Sequence, residues 1–235
     1  FSPLSRIPAM QAGGKPTGKA LLFGPEEREK MISRTPSIAS VIRRFSMGEE
    51  FINGKERFCL WMPDGIPPEL QQNSDILERT ALVREARASS PKKATRDKAS
   101  TPWKFDEIKY SRDGDYIAVP KVTTRRRKYV PIDLVQDGMI PGDKLFFVLD
   151  GKMDIFGVLM SQTHNAWMRA LAGRMRIDYS YANTIVYNNL VFPELSPAQR
   201  EGIEHAAQEV LNARSLYPEG TLADLYDPDL SLIHI

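Results

Sequence analysis

The nine residues GRMRIDYSY, 173–181, decide how this chain is read. Taken as one strand, they alternate. Met175, Ile177 and Tyr179 fall on one face, and Arg176, Asp178 and Ser180 on the other. The first face reads as core. The second carries a cation and an anion two residues apart. The strand follows THNAWMRALAG, 163–173, a helix with Trp167, Met168 and Leu171 for packing and Gly173 as its C′ stop. A strand set directly against a helix points to an α+β fold, and the charged face asks for a partner.

The flanking chain extends that pattern. TPSIASVIRRF, 35–45, predicts a helix with Thr35 as N-cap, Pro36 in its first turn and Ile38, Val41, Ile42 and Phe45 on one face. Arg43 and Arg44 lie off that stripe. Asn53-Gly54, between two apolar runs, predicts a hairpin over 48–62. A charged helix is expected over 75–88, with Ile76, Leu77, Leu82 and Val83 for packing. The basic, proline-containing 88–102 then reads as a loop, either a linker or a backbone-binding arm. Strands are expected at 116–119 and within 145–160, which also holds an Asp150-Gly151 turn. Residues 196–220 form a helix, opened by a Ser196/Gln199 capping box, with Ile203, Ala207, Val210 and Leu211 as its stripe. The architecture expected is therefore a twisted, mainly antiparallel sheet with packed helices, followed by a C-terminal helical segment.

Composition narrows the function. The 235 residues contain one cysteine, Cys59, which excludes a disulfide framework and makes a reducing interior the default. Cys59 reads as a small core residue. No apolar run reaches the length of a membrane span, so no membrane partner is expected. Between Glu194 and Asp229, eight acids face two bases, so residues 1–193 carry a net +8 in a chain whose total is +2. A basic body suggests a polyanion, and surface lysines and arginines that are merely solvated give the same count.

Catalytic constellations are not found. The glycines of 11–24 do not meet the Walker pattern. There is no cysteine pair and no His-x-x-x-His, so no metal site is assigned. His164 and His205 read as packing or surface residues. No nucleophile elbow and no dinucleotide fingerprint is present. Recognition remains. TTRRRK, 123–128, sets Arg125, Arg126, Arg127 and Lys128 behind Thr123 and Thr124, all suited to phosphate oxygens; a solvated turn is the plainer alternative. Arg43, Arg44, Lys55 and Arg57 are further phosphate candidates. Arg176 and Asp178 fit guanine and cytosine edges, or else an exposed ion pair of little energetic worth.

Four stretches occur in order: PSIASVIRRFSMGEEFINGKERFCLWM (36–62), VPKVTTRRRKYVPI (119–132), FGVLMSQTHNAWMRALAGRMRIDYSYANTIVYNNLVFPE (156–194) and TLADLYDP (221–228). Together they resemble the C-terminal part of MmeI-like DNA methyltransferases of type IIL restriction-modification systems. The resemblance implies a target-recognition domain over 1–194 and the start of a C-terminal helical domain over 195–229. It implies double-stranded DNA as partner, and an upstream domain in cis that uses S-adenosylmethionine to methylate the exocyclic amine of adenine. The Asn-Pro-Pro-aromatic signature of that domain does not occur here, so no cofactor is expected on this chain and no catalytic residue is assigned. Some members also carry a nuclease. The implied location is a prokaryotic cytoplasm, at the nucleoid.

The resemblance also places the base-reading pair just after a Gly-Arg-Leu-like step, here Gly173-Arg174-Met175. That puts it on Arg176 and Asp178. Where the family often has Ser-Ser-Glu-Arg-Arg, this chain has Thr123-Thr124-Arg125-Arg126-Arg127, so a role resting on that acid does not carry over. LSLIHI, 230–235, is what a transposase sequencing adapter gives when translated. It is expected to be non-native, and the chain to be a fragment inactive alone. A free-standing nucleic-acid-binding module and a protein-interaction scaffold are the alternatives.

Overall fold

The computed structural model describes residues 2–110 and 114–229. The LSLIHI segment, 230–235, lies outside them. In chain order the strands are β1 (Met10–Ala12), β2 (Leu22–Phe23), β3 (Ile42–Ser46), β4 (Phe58–Leu60), β5 (Tyr116–Pro120), β6 (Val122–Thr123), β7 (Asp133–Val135), β8 (Ile140–Pro141), β9 (Leu145–Leu149), β10 (Gly173–Met175) and β11 (Asp178–Ser180). The helices are α1 (Pro25–Arg34), α2 (Gly48–Ile52), α3 (Ser74–Ala88), α4 (Lys93–Arg96), α5 (Met153–Met160), α6 (Gln162–Leu171), α7 (Pro197–Ser215) and α8 (Leu222–Leu225). The fold is mixed α/β with mainly antiparallel sheets and a C-terminal helix.

A sheet of order β1-β9-β5-β7, antiparallel throughout, divides the molecule. All five residues of β5 are buried. Alternation sends Tyr116 and Ala118, with Leu145 and Phe147, into one core. It sends Ile117 and Val119, with Phe146 and Val148, into a second. Strands covered on both faces need no polar side, so YIAVP and LFFVL read as unbroken apolar runs. The first core is closed by the β2-β4-β3-β8 sheet together with Met31 of α1 and Ile76 and Val83 of α3. The second is closed by α5, α6 and α7.

The C-terminal helix is part of that second core. A Cβ on Gly157 of α5 would sit 2.7 Å from Cγ2 of Ile203 and 3.2 Å from Cβ of Ala207. Glycine there lets α7 lie directly against α5. Arg214 of α7 then reaches across the sheet end. It donates to Oδ1 of Asp133 at 2.7 Å and to the Ile132 carbonyl at 2.8 Å. The Ser196/Gln199 capping box forms as expected, but α7 stops at Ser215. Tyr217 precedes Pro218, and a residue before proline is driven out of the helical region.

Two expectations for the β2-β4-β3-β8 sheet fail. Residues 36–41 make a 3-10 turn, and 42–46 form β3 rather than a continuing helix. The stripe Ile38, Val41, Ile42 and Phe45 is buried all the same. β-Branched and aromatic residues suit a pleated surface better than a helix, and β4 supplies the edge for β3 to pair with. Residues 48–52 form α2, not a hairpin arm. Gly54 does turn, at φ +62°, but it joins α2 to β4. In α3, Ile76 and Val83 pack, whereas Leu77 and Leu82 are exposed. The expected loop 88–102 holds α4 and a 3-10 turn. It is tied down by buried Arg87, which donates to the carbonyls of Lys98, Thr101 and Lys104. No helix among the described residues is long and apolar enough to cross a membrane.

Candidate nucleic-acid interface

GRMRIDYSY is not one strand. β10 and β11 pair back on each other, with Gly173 opposite Ser180, Arg174 opposite Tyr179 and Met175 opposite Asp178. Arg176 and Ile177 are left as a two-residue loop. Arg176 has φ +58°, a conformation that tight hairpin loops require and that glycine usually supplies. The core expected on the Met175 face is absent. Met175 is 55% exposed and Ile177 63%; only Tyr179 is half-buried. The period-two reading failed because no Asn-Gly or Asp-Gly marks the reversal. Arg176 therefore sits at the tip, and Asp178 on the arm behind it, across from Met175.

The hairpin is held in place by β6. Tyr179 pairs with Thr123 and Ser180 with Val122. Because β6 runs straight into TTRRRK, the sheet sets the basic block beside the hairpin, about fifty residues away in sequence. The Arg125 backbone N–H donates to Oδ1 of Asp178 at 3.3 Å. Arg169 of α6 donates to the carbonyls of Arg127 and Lys128, at 2.8 and 2.7 Å, and anchors the far end of the block. The Arg174 guanidinium lies 3.7 Å from the Tyr179 ring centroid, a cation–π contact that stiffens the opposite hairpin face. Sequence reading missed Arg169, Arg174 and the exposed Ile177. Arg169 reaches the site through its hydrogen bonds from α6 to the block, a contact that is not local in sequence, and Arg174 through the hairpin reversal that sets it opposite Tyr179.

Within the block the residues differ. Thr123 is buried, so its hydroxyl does not face solvent. The phosphate contact expected of it is not available in this conformation, because β6 turns its side chain inward. Thr124 is half-buried and accepts from the Arg126 N–H at 3.4 Å. Arg125, Arg126 and Lys128 are exposed. Arg126 pairs with Asp229 at 2.5 Å, with both side chains largely in solvent; such a pair exchanges readily for another anion. Arg127 is half-buried. Burial lowers its guanidinium pKa against the opposing pull of Asp227 and Asp178.

The other phosphate candidates stand elsewhere, on or after β3. Arg43 donates to the carbonyls of Ser40 and Ile42. Arg44 pairs with Asp137, Lys55 with Glu49 at 2.8 Å and Arg57 with Glu50 at 2.7 Å. Arg44, Lys55 and Arg57 border a groove that also carries Glu50, Asp133 and Asp137, an acid content that disfavours phosphate. Cys59 is fully buried, and burial pushes its thiol pKa up, so it is a core residue as read. His164 is buried as well. Its Nδ1 meets the Leu159 carbonyl at 2.6 Å and its Nε2 the Tyr181 hydroxyl at 3.0 Å. Burial lowers its pKa to about 4.

Fold and edge together define a recognition module: a double-cored body that presents a cationic hairpin tip. Comparison with known proteins is consistent with this. Residues 1–194 match the family described as MmeI, target recognition domain, and residues 195–232 match MmeI, C-terminal domain. A solved type IIL restriction-modification enzyme, MmeI in complex with DNA, superposes with a TM-score of 0.93 at 38% identity, over 98% of this chain and 31% of that one. DNA methyltransferase A of Bacillus subtilis (strain 168) is 34% identical over 234 residues, 99% of this chain and 26% of that protein. The chain thus belongs to the MmeI target-recognition family, and it spans under a third of the length of these relatives.

Proposed function

We propose that this chain is the DNA-reading part of a type IIL-like methyltransferase that uses S-adenosylmethionine and modifies the exocyclic amine of adenine. The observation that carries the reading is the meeting, through the β11–β6 pairing, of the Arg176/Asp178 hairpin with the 125–128 cations. A two-stranded ribbon fits the major groove. There Arg176 pairs with the O6 and N7 acceptors of a guanine, and Asp178 accepts from a cytosine amine. Arg125, Arg126 and Lys128 take phosphates, and so set register without reading sequence. The target base is extruded and methylated by a domain of the intact enzyme outside this chain. S-Adenosylmethionine supplies the methyl group there, and this chain's residues bind and orient the duplex.

The test is selection of the chain on a pool of random duplexes, followed by titration of the enriched sequence. Arg176→Ala should lose discrimination at one base pair, a cost of about 1–3 kcal/mol there, and keep it elsewhere. An unchanged preference at every position would reject the role of Arg176. Failure to enrich any duplex sequence would reject the DNA-reading function itself.

A further inference from the structure

The hairpin tip carries something besides charge. Ile177, at 63% exposure, and Met175, at 55%, are among the most exposed large apolar side chains described, and they flank Arg176. Isolated surface apolar residues are ordinary. Two at the tip of a ribbon, between Arg174, Arg176 and the exposed cations of 125–128, are placed differently. The cations call for a polyanion, and the apolar side chains call for a non-polar feature on that polyanion. With Arg176 at φ +58°, the chain reverses within two residues, and Ile177 stands exposed at the turn rather than on a paired arm.

Resting on the DNA reading above, we infer that Ile177, supported by Met175, reads the C5-methyl group of a thymine next to the base pair read by Arg176. Carboxylate recognition of a cytosine amine is available only in the major groove, because that donor is displayed there. If Asp178 works in that groove, so does the tip two residues away. The thymine methyl is the apolar group that base edges offer in the major groove. Ile177 is thus a specificity-determining residue that adds an apolar contact to the charged pair.

The experiment removes the methyl from the DNA rather than from the protein. The duplex selected by this chain is remade with deoxyuridine in place of each thymine in turn, and each version is titrated by fluorescence anisotropy. Wild-type affinity should fall about fourfold at one thymine, the worth of one buried methyl group. Ile177→Ala should bind the thymine and deoxyuridine forms equally, with its thermal unfolding unchanged. Insensitivity of the wild type to every replacement would overturn the inference, and so would an Ile177→Ala protein that keeps the full fourfold response. In either case sequence-selective binding would still stand, so the DNA-reading function would survive. A chain that selects no duplex overturns both.

Discussion

β5 and the 173–180 hairpin are both short paired stretches that carry large apolar side chains, and they do opposite things. In β5 every side chain is buried, because the strand lies between two cores. In the hairpin Met175 and Ile177 stand in solvent. What exposes the apolar side chains of the hairpin is its lack of coverage. β5 pairs on both edges, with β7 and β9, and is packed on both faces. The hairpin pairs on one edge only, through β11 and the two residues of β6. The first region stores stability, and the second is free to meet a ligand.

The sharpest way to break that contrast is to truncate one residue in the sheet that holds β5 and one in the hairpin. Phe147, fully buried in β9, should cost about 3–5 kcal/mol as Phe147→Ala, read from the shift in denaturant midpoint. Met175→Ala should stay within about 0.5 kcal/mol. Similar costs at the two positions would mean that the tip is packed and not available for recognition.

A slightly smaller effect tests the joint between the two regions. His164 links the end of α5, through Leu159, to Tyr181 just beyond the hairpin. Its Nδ1–H donates to the carbonyl, and Nε2 accepts from the tyrosine hydroxyl, so the folded state needs the neutral ring. The unfolded ring takes a proton near 6.5 and the folded one only near 4. The contribution is therefore complete above pH 6.5 and is lost as pH falls toward 4, by about 3 kcal/mol at most. Unfolding midpoints from pH 7.5 down to 4.5 should show that slope in the wild type and a shallower one in His164→Gln. Equal slopes would mean that another group carries it.

The basic block tests the other side of the contrast, since its charges should matter to binding and not to folding. Replacing Arg125, Arg126 and Lys128 together by alanine should leave the melting temperature nearly unchanged and weaken binding to all duplexes alike. The slope of log affinity on log salt should flatten by about 0.9 for each phosphate that is no longer neutralised. An unaltered slope would return these cations to the role of a solvated turn.

Strands β5 and β9 were legible in the sequence because burial on both faces leaves an unbroken apolar run. The α7 capping box was legible because its hydrogen bonds are local. The β3 strand was not, since Ile38, Val41, Ile42 and Phe45 satisfy a helical stripe and a turn-plus-strand equally, and the choice was made by β4. Arg176 and Asp178 were read as neighbours on one strand face, whereas the chain reverses between them and sets one at the tip and the other on the following arm. The alternation rule carries no information about a reversal made by Arg-Ile. The juxtaposition with TTRRRK depends on the β11–β6 register, which no local pattern encodes.

That hidden reversal leads to the smallest expected effect, and the one that bears most directly on the site. Arg176 occupies backbone territory that costs an L-residue about 1 kcal/mol and glycine almost nothing. Arg176→Gly and Arg176→Ala both delete the guanidinium, but only glycine removes the strain. Both should lose the same base discrimination, whereas the glycine variant should be more stable than the alanine variant by about 1 kcal/mol. Equal stabilities would mean that residue 176 does not hold a positive φ in solution, and the tip geometry that aims Ile177 would fall with it. A glycine variant that gained stability and kept discrimination would instead shift base reading from Arg176 to Asp178 and its neighbours. The predicted outcome, stability gained as recognition is lost, would mark the tip as a place where an unfavourable backbone is kept because it points a side chain at its target.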